Sequence, residues 1–221
     1  MQRWLKSQPT MSIWNGRRFG RLYLIFRALM CWMPAAARGT NIPWMIERGA
    51  QKVVGIDGSP QMITIAGRSA LPTVSLTVAD LNQPLDFLPD GSFDLVFSSL
   101  VVHYIKDTGR LFADFARLLR PGGSFVFSTH HPQDDYLLHP GNYFETEFIS
   151  DKWSSFGEKG ITMSSYRRPL SAITEALANA PLIIERMTEA QPTDGFRLAD
   201  PERYEKTSRH PTFLCVRARR L

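Results

Sequence analysis

The sequence has little cysteine, since Cys31 and Cys215 are its two cysteines among 221 residues and lie far apart. Such a pair predicts neither a disulfide framework nor a zinc site, and the five scattered histidines add no metal-ligand spacing. We therefore expect no bound metal, and a reducing cytoplasm is the compartment that fits best.

Long apolar runs are also missing. The run at residues 22–33 is interrupted by Arg27, and about 12 residues cannot span a bilayer core of ~30 Å. Three arginines precede this run and Ala35–Ala37 follow it, a pattern that leaves a signal peptide as the lesser alternative. We expect no transmembrane helix and no membrane partner.

Acidic residues are scarce at the start of the chain. Residues 1–50 contain eight Lys or Arg and one acid, Glu47, whereas residues 51–221 contain eighteen basic and twenty acidic residues. The net charge of +5 therefore comes from the first segment, which also contains four of the five tryptophans. Because the rest of the chain carries no basic patch interleaved with aromatics, we expect no nucleic-acid partner.

Alternating strand and helix signals begin at Gln51. Apolar strands are predicted at 52–56, 74–78, 93–98 and 124–129, with helices between them, and this pattern is typical of a parallel sheet covered on both faces. Two late strands, 182–189 and 212–218, resemble an antiparallel pair at the sheet edge. The sequence predicts a doubly wound, mostly parallel α/β domain.

The chain length allows one domain, which we place at residues 45–221. Within it, the polar and aromatic stretch 130–166 is too long for an ordinary connection and is predicted to be a lid or a substrate-binding insertion. Residues 1–44 lack the periodic pattern of helices or strands and are interpreted as an aberrant segment.

Residues that follow the strands are the candidates for ligand binding, because open α/β sheets bind ligands beyond the carboxyl ends of their strands. Asp57 ends the run Val-Val-Gly-Ile-Asp, where a carboxylate can accept hydrogen bonds from both hydroxyls of a ribose. Asp80 ends the next strand and can accept from an adenine amine. Each aspartate has a structural alternative, as a residue of a helix start or of a turn.

Four motifs occur in order: Val-Gly-Ile-Asp-Gly-Ser-Pro-Gln-Met, Ala-Asp-Leu, Phe-Asp-Leu-Val and Leu-Leu-Arg-Pro-Gly-Gly. At these spacings, over about residues 45–130, the chain resembles the class I S-adenosylmethionine (SAM) dependent methyltransferases, in their type 11 group. The resemblance implies SAM as cofactor and a small molecule as methyl acceptor. It further implies that Asp57 and Gly58 bind the ribose, Asp80 and Leu81 the adenine, and Ser98 and Ser99 the methionine portion.

Substrate-binding residues are predicted in the later part of the domain. His103 follows the strand that ends near Ser98, although a histidine packed at a helix start is the common alternative. Further candidates come after the next strand and near the end of the insertion: His130, His131, Tyr166, Arg167 and Arg168. The arginines and the tyrosine are residue types that hold an acidic substrate, and a solvated helix start is their structural alternative. The sequence assigns no catalytic residue.

The family's glycine-rich loop is missing from its expected place, roughly 20 residues before the ribose carboxylate. Residues 30–39 read Met-Cys-Trp-Met-Pro-Ala-Ala-Ala-Arg-Gly, with one glycine and two bulky side chains near the start. The first strand and its loop are therefore expected to be disrupted, and SAM binding to be impaired.

A shift of reading frame accounts for this segment. When the last base of each codon is joined to the first two bases of the next, residues 30–34 force Val-Leu-Asp-Ala, and residues 34–39 permit Gly-Cys-Gly-Pro-Gly. Together these residues give the sequence of the strand and loop that the family requires. We interpret the segment before residue 45 as translated out of frame.

Two other functions share these features of the sequence. An inactive or binding-only remnant would have the same fold without the loop. A nicotinamide-dependent oxidoreductase would also place an acid after its second strand, but Leu-Leu-Arg-Pro-Gly-Gly and the late strand pair do not suit that class. Methyl transfer to a small molecule is the favoured interpretation.

Overall fold

The computed structural model describes residues 29–34, 42–68, 71–153 and 161–221. Its main sheet contains seven strands in the order β3-β2-β1-β4-β5-β9-β8, and β6 and β7 form a separate antiparallel hairpin. The strands are β1 (Leu29–Pro34), β2 (Ala50–Asp57), β3 (Val74–Val78), β4 (Phe93–Ser99), β5 (Leu119–His130), β6 (Glu147–Trp153), β7 (Ile161–Arg167), β8 (Leu182–Glu189) and β9 (Phe213–Arg220).

The helices connect these strands. They are α1 (Ile42–Glu47), α2 (Pro60–Gly67), α3 (Thr108–Leu118), α4 (Pro132–Leu138), α5 (Leu170–Asn179), α6 (Asp194–Ala199) and α7 (Pro201–Thr207), with a 3₁₀ turn at Val102–Tyr104. Strands β1 to β5 run parallel, whereas β9 is antiparallel to both β5 and β8. The predicted doubly wound, mostly parallel fold with a late antiparallel pair is confirmed.

Strand β1 lies at the centre of the sheet, where Cys31 is in register with Val53 of β2 and with Leu95 of β4. The backbone of residues 29–34 is therefore described as a strand, although the sequence predicts a disrupted one. The physical reason is that a parallel ladder uses main-chain N–H and C=O groups, which do not depend on the identity of the side chain. The expected glycine loop falls on residues 35–41, which lie outside the described residues.

The boundary expected between residues 44 and 45 falls inside α1. Ile42 and Met45 of this helix are both buried, and they join Val53 in one of the two apolar clusters of the core. The packed domain therefore includes residues on both sides of that boundary.

The core has one cluster on each face of the sheet, because side chains alternate along each strand. In β4, Val96 belongs to the cluster under α3 and α5, whereas Leu95 and Phe97 belong to the cluster that contains Val53. Phe125 and Val126 alternate in the same way on β5. Both faces are covered, as the apolar strands of the sequence indicate.

Helices α2 and α3 each begin at a residue whose side chain caps the backbone. Ser59 Oγ accepts from the backbone N–H of Met62 with Pro60 in the first turn, and Asp107 accepts from the N–H of Arg110. These caps set where each chain segment leaves the sheet edge and turns back into a helix.

The Arg-Pro-Gly-Gly segment lies within β5, although the sequence predicts a strand only from Ser124. Gly122 has φ +78°, and a Cβ on Gly123 would come within 2.9 Å of the Arg120 carbonyl oxygen. Both positions therefore require glycine, and the irregularity allows β5 to pair with β4 directly after α3 ends.

The stretch 130–166 contains α4 and most of the β6–β7 hairpin. It stands apart from the main sheet, as an insertion between β5 and α5. Among the described residues, no helix is both long and apolar enough to cross a membrane.

Candidate functional site

Asp57 and Asp80 lie at the carboxyl ends of neighbouring strands. Asp57 is in register with Val78, and the N–H of Ala79 donates to the Asp57 carbonyl over 3.2 Å. The half-buried Asp57 carboxylate accepts from the N–H of Ser59 at 2.8 Å, and one carboxylate has capacity for several donors. The structure thus brings the two predicted aspartates to the same end of the sheet.

The Asp80 side chain is exposed and locally held. Its Oδ1 accepts from the backbone N–H and from the side-chain amide of Asn82, at 2.9 and 3.2 Å. Both bonds go to Oδ1, and the second carboxylate oxygen of this exposed residue is a further acceptor. Gly58 is exposed beside this strand end, whereas Leu81 is buried and contributes to the core.

Ser98 and Ser99 end β4, at the same end of the sheet. Ser98 is fully buried, and its Oγ has no hydrogen-bond partner among the described residues. Ser99 Oγ lies 3.5 Å from Ser128 Oγ on β5. A buried hydroxyl without a partner is costly in a folded protein, so Ser98 Oγ is available to a ligand group.

Leu100 turns the chain sharply after these serines. It has φ +53°, a left-handed conformation that is uncommon for a residue with a side chain, and its N–H donates to the Ser128 carbonyl at 3.0 Å. Such a conformation persists when its surroundings hold it, and it occurs often at binding sites. Leu100 and Ser128 thus lie directly beside Ser98 and Ser99, and the sequence analysis did not name them.

Comparison with known proteins supplies the family. The family model described as "Methyltransferase domain" matches residues 34–127. The fold is similar to that of an S-adenosylmethionine dependent methyltransferase from Mesorhizobium loti, with a TM-score of 0.74 and 28% identity, over 92% of this chain and 96% of that one. The chain is therefore similar to the SAM-dependent methyltransferases, over residues 34–127 in sequence and over most of its length in fold.

Curated relatives match part of the chain. A trans-aconitate 2-methyltransferase from Azoarcus sp. is 37% identical over 44% of this chain and 37% of its own length. A phosphoethanolamine N-methyltransferase from Arabidopsis thaliana is 36% identical over 39% of this chain and 18% of its own length. The chain therefore spans well under half of the length of these relatives. The family assignment replaces the nicotinamide-dependent alternative.

SAM is the cofactor of this family, and the described residues of the methyltransferase fit it. Asp57 and Asp80 offer carboxylate acceptors at adjacent strand ends, which suit ribose hydroxyls and an adenine amine. The unpartnered Ser98 Oγ suits the polar methionine end. The fit rests on acceptors at the ends of the neighbouring strands β3 and β2 and on a buried hydroxyl at the end of β4, which lies on the other side of β1.

The predicted substrate residues His103 and His130 meet at a second place in the methyltransferase. His103 lies in the 3₁₀ turn after β4, and its ring stacks on that of His130 at a centroid distance of 3.8 Å. His103 Nδ1 lies 3.4 Å from Thr129 Oγ1, and its Nε2 is buried without a partner among the described residues. Burial, with the nearby charges of His130 and Arg168, lowers the pKa of His103 well below its usual 6.5.

The depressed pKa of His103 predicts that acid destabilises the methyltransferase. The unfolded chain takes up a proton near pH 6.5 that the folded chain refuses, so stability present above pH 6.5 is lost as pH falls toward the lower folded pKa. His103→Gln removes the ionisable imidazole and with it this difference in proton uptake between the folded and unfolded chains. Urea unfolding at pH 7.5, 6.5 and 5.5 should show a shallower acid slope for the variant, by up to about 1.4 kcal/mol per pH unit. Equal slopes in the two proteins would contradict a buried, neutral His103.

His131 has a structural role at the start of α4. Its Nδ1 accepts from the N–H of Gln133 at 3.2 Å, and its Nε2 lies 3.3 Å from a Glu189 carboxylate oxygen. Both ring nitrogens are used by the protein itself. The structure therefore places His131 beside the predicted substrate residues without leaving a nitrogen for a ligand.

Arg167 is fully buried and tied to the hairpin. Its guanidinium pairs with Glu147 at 2.7 Å and donates to the Asn142 carbonyl at 3.1 Å. The residue therefore joins β7 to β6 and to the preceding loop. These contacts engage Arg167 within the protein, whereas the sequence predicts that it binds an acidic substrate.

Arg168 and Tyr166 lie nearer to the two stacked histidines. Arg168 donates to the main-chain carbonyls of Val102, Ile105 and Lys106, and burial lowers its pKa to about 10. The ring of Tyr166 lies 5.0 Å from the Arg168 guanidinium carbon. Arg168 thus fixes the turn that carries His103.

Proposed function

We propose that the chain binds SAM at the carboxyl ends of β2, β3 and β4 and transfers its methyl group to a small molecule. Asp57 would accept from the ribose, Asp80 from the adenine amine, and Ser98 would meet the methionine end. The adjacent strand ends of Asp57 and Asp80 are the observation that supports this most directly. The sulfonium methyl is already electrophilic, so the protein's part is chiefly to align the acceptor with it.

The family relatives support a small acceptor, because the names of two of them specify trans-aconitate and phosphoethanolamine. The stacked histidines and the hairpin lie beyond the end of β5, next to the proposed cofactor site. We propose that the acceptor enters there, between the hairpin and the sheet edge.

We also propose that the segment before residue 45 impairs this function. The family match begins at residue 34, inside the segment that the codon argument places out of frame. In that case the adenosine half of the site is present while the glycine loop is not. A remnant that binds the adenosine half weakly is the second candidate.

A ligand-binding experiment on the chain as it stands tests the proposed site. Adenosine should give a saturation-transfer NMR signal, because Asp57 and Asp80 do not depend on the missing loop. Asp57→Asn and Asp80→Asn should each weaken binding by about tenfold or more, since a hydrogen bond to a charged group is worth about 1.5–3 kcal/mol. The matched control is Asp86→Asn, an exposed aspartate of the following loop. An equal loss of adenosine binding in all three variants, or no loss in any of them, would place the site elsewhere.

A further inference from the structure

A small polar cavity lies beyond the end of β5, between α4, β7 and the 3₁₀ turn. Its volume is about 10 Å³, roughly what one water molecule needs. The polar residues that line it are His103, Thr129, His130, Asp135, Tyr166 and Arg168. Two imidazoles and a carboxylate therefore meet outside the residues proposed to hold the cofactor.

His130 and Asp135 form the central pair of this cavity. His130 Nδ1 lies 3.2 Å from Asp135 Oδ1, and the Asp135 side chain is buried in the first turn of α4. A carboxylate at Nδ1 favours the tautomer with its proton on that nitrogen, so the lone pair of Nε2 is left free. About a quarter of the His130 side chain (24%) is exposed, so the ring is not closed off from a ligand.

The two neighbouring histidines are arranged differently. Both nitrogens of His131 are used in contacts with α4 and β8. The buried ring of His103 lies nearly parallel to that of His130, at 13°, and holds it in one plane. Of these three histidines, His130 is the one that combines an orienting carboxylate with an accessible nitrogen.

Charged groups of both signs lie around His130. His103 from the 3₁₀ turn is neutral at neutral pH, Arg168 before α5 is positive, and Asp135 and Asp134 of α4 are carboxylates. Tyr166 of β7 faces the same cavity. The neutral ring of His103 therefore places no second imidazolium against His130.

We propose that His130 is the general base of the methyl transfer and that Asp135 is its positioning residue. The acceptor is then a molecule whose nucleophilic oxygen or nitrogen carries a proton, a hydroxyl or an ammonium, rather than a carboxylate, which is already ionised at neutral pH. This inference rests on the proposed function and adds the substrate class to it.

The transfer conserves atoms and electrons. His130 Nε2 takes the proton from the acceptor, and the acceptor's lone pair forms a bond to the methyl carbon. The carbon–sulfur bond breaks, and its electron pair stays on sulfur, which leaves S-adenosylhomocysteine. His130 later releases the proton to water.

The tautomer of His130 can be measured in the full chain without any ligand. Long-range ¹H–¹⁵N NMR of the imidazoles above pH 7.5 should show His130 with its proton on Nδ1 and none on Nε2. Asp135→Asn should move the proton of His130 partly to Nε2, because it removes the carboxylate that accepts from Nδ1. His139→Gln removes a similar pair, with Asp151 at 3.0 Å, and should leave the His130 signals unchanged. A proton on Nε2 of His130 would overturn the proposal.

Turnover tests the catalytic role. Formation of S-adenosylhomocysteine is measured at millimolar SAM, with phosphoethanolamine and trans-aconitate as the probe acceptors. His130→Gln should lower the rate with phosphoethanolamine about a hundredfold, and Asp135→Asn should shift the pH profile, whereas His139→Gln should change neither. Turnover confined to trans-aconitate, at the same rate in His130→Gln, would overturn the general base.

Cofactor affinity, measured separately by calorimetry, distinguishes this proposal from the proposed function. His130→Gln retains a side-chain amide that can donate to Asp135, so its SAM affinity should equal that of the unmodified chain. Unchanged SAM affinity together with lost turnover in His130→Gln supports His130 as the general base. Absence of adenosine binding in every protein, by contrast, would contradict the cofactor site itself.

Discussion

Restoring the glycine loop is expected to strengthen SAM binding by about a hundredfold or more. The restored protein carries Val-Leu-Asp-Ala-Gly-Cys-Gly-Pro-Gly in place of residues 30–38, with the flanking frame restored from about residue 13 to 44. Glycines would then replace Pro34, the last residue of β1, and Ala36 and Arg38 after it in the sequence, where the family's backbone approaches the methionine end of the cofactor. At ~1 kcal/mol per backbone hydrogen bond plus lost packing, several kcal/mol separate the two proteins.

Calorimetric titration of both proteins with SAM measures this difference. The Asp57→Asn variant of the restored protein is the control, because it should lose affinity through the ribose while keeping the loop. Equal micromolar binding by the two proteins would show that the chain as it stands builds its cofactor site in another way. Resequencing the gene across codons 10 to 50 would test the reading frame directly.

Replacing Arg168 with methionine is expected to destabilise the fold by about 3–5 kcal/mol. The guanidinium donates to three main-chain carbonyls between residues 102 and 106, and Arg168 is itself buried. Methionine fills much of the same volume but leaves these carbonyls without their donor. The change should also free the turn that holds His103 against His130.

Urea unfolding monitored by circular dichroism measures the effect of Arg168→Met. The matched control is Arg197→Met, an exposed arginine that pairs with Asp194 within α6, where a change within about 0.5 kcal/mol is expected. A loss below about 1 kcal/mol for Arg168→Met would mean that water replaces the guanidinium and that the turn does not depend on it.

The sequence predicts the main sheet well because its signals are local. Apolar runs bounded by turn residues give strands at nearly the observed positions, and Asp107 and Ser59 cap helices as their residue types suggest. Parallel strands then place Asp57 and Asp80 at one sheet edge, so the shared position of these residues follows from topology alone.

Contacts between distant segments could not be predicted in this way. Asp135 reads as an ordinary acid of a helix's first turn, and the sequence gives no sign that it meets His130 across the start of α4. Arg168 contacts carbonyls more than 60 residues earlier in the chain. The residue type of Arg167 predicts substrate binding, whereas the structure pairs this arginine with Glu147. The contact of Arg167 depends on the packing of the hairpin, whereas that of Asp135 depends on how α4 begins after β5.

The first strand shows a different limit. The side-chain pattern of residues 29–34 does not predict a central strand, yet the backbone there pairs with β2 and β4. Sequence patterns report which side chains suit an environment, whereas a ladder between two formed strands requires only main-chain groups. The identity of the loop residues affects binding more than it affects the order of the strands.

The position of β9 affects how the protein is made on the ribosome. This strand, Phe213–Arg220, lies between β5 and β8, so the sheet cannot reach its final order until these residues have been synthesised. Until then the backbone edge of β5 has no partner on that side, and nascent chains with such an edge are prone to associate. Synthesis that stops before residue 213 would leave β8 without its connection to the main sheet.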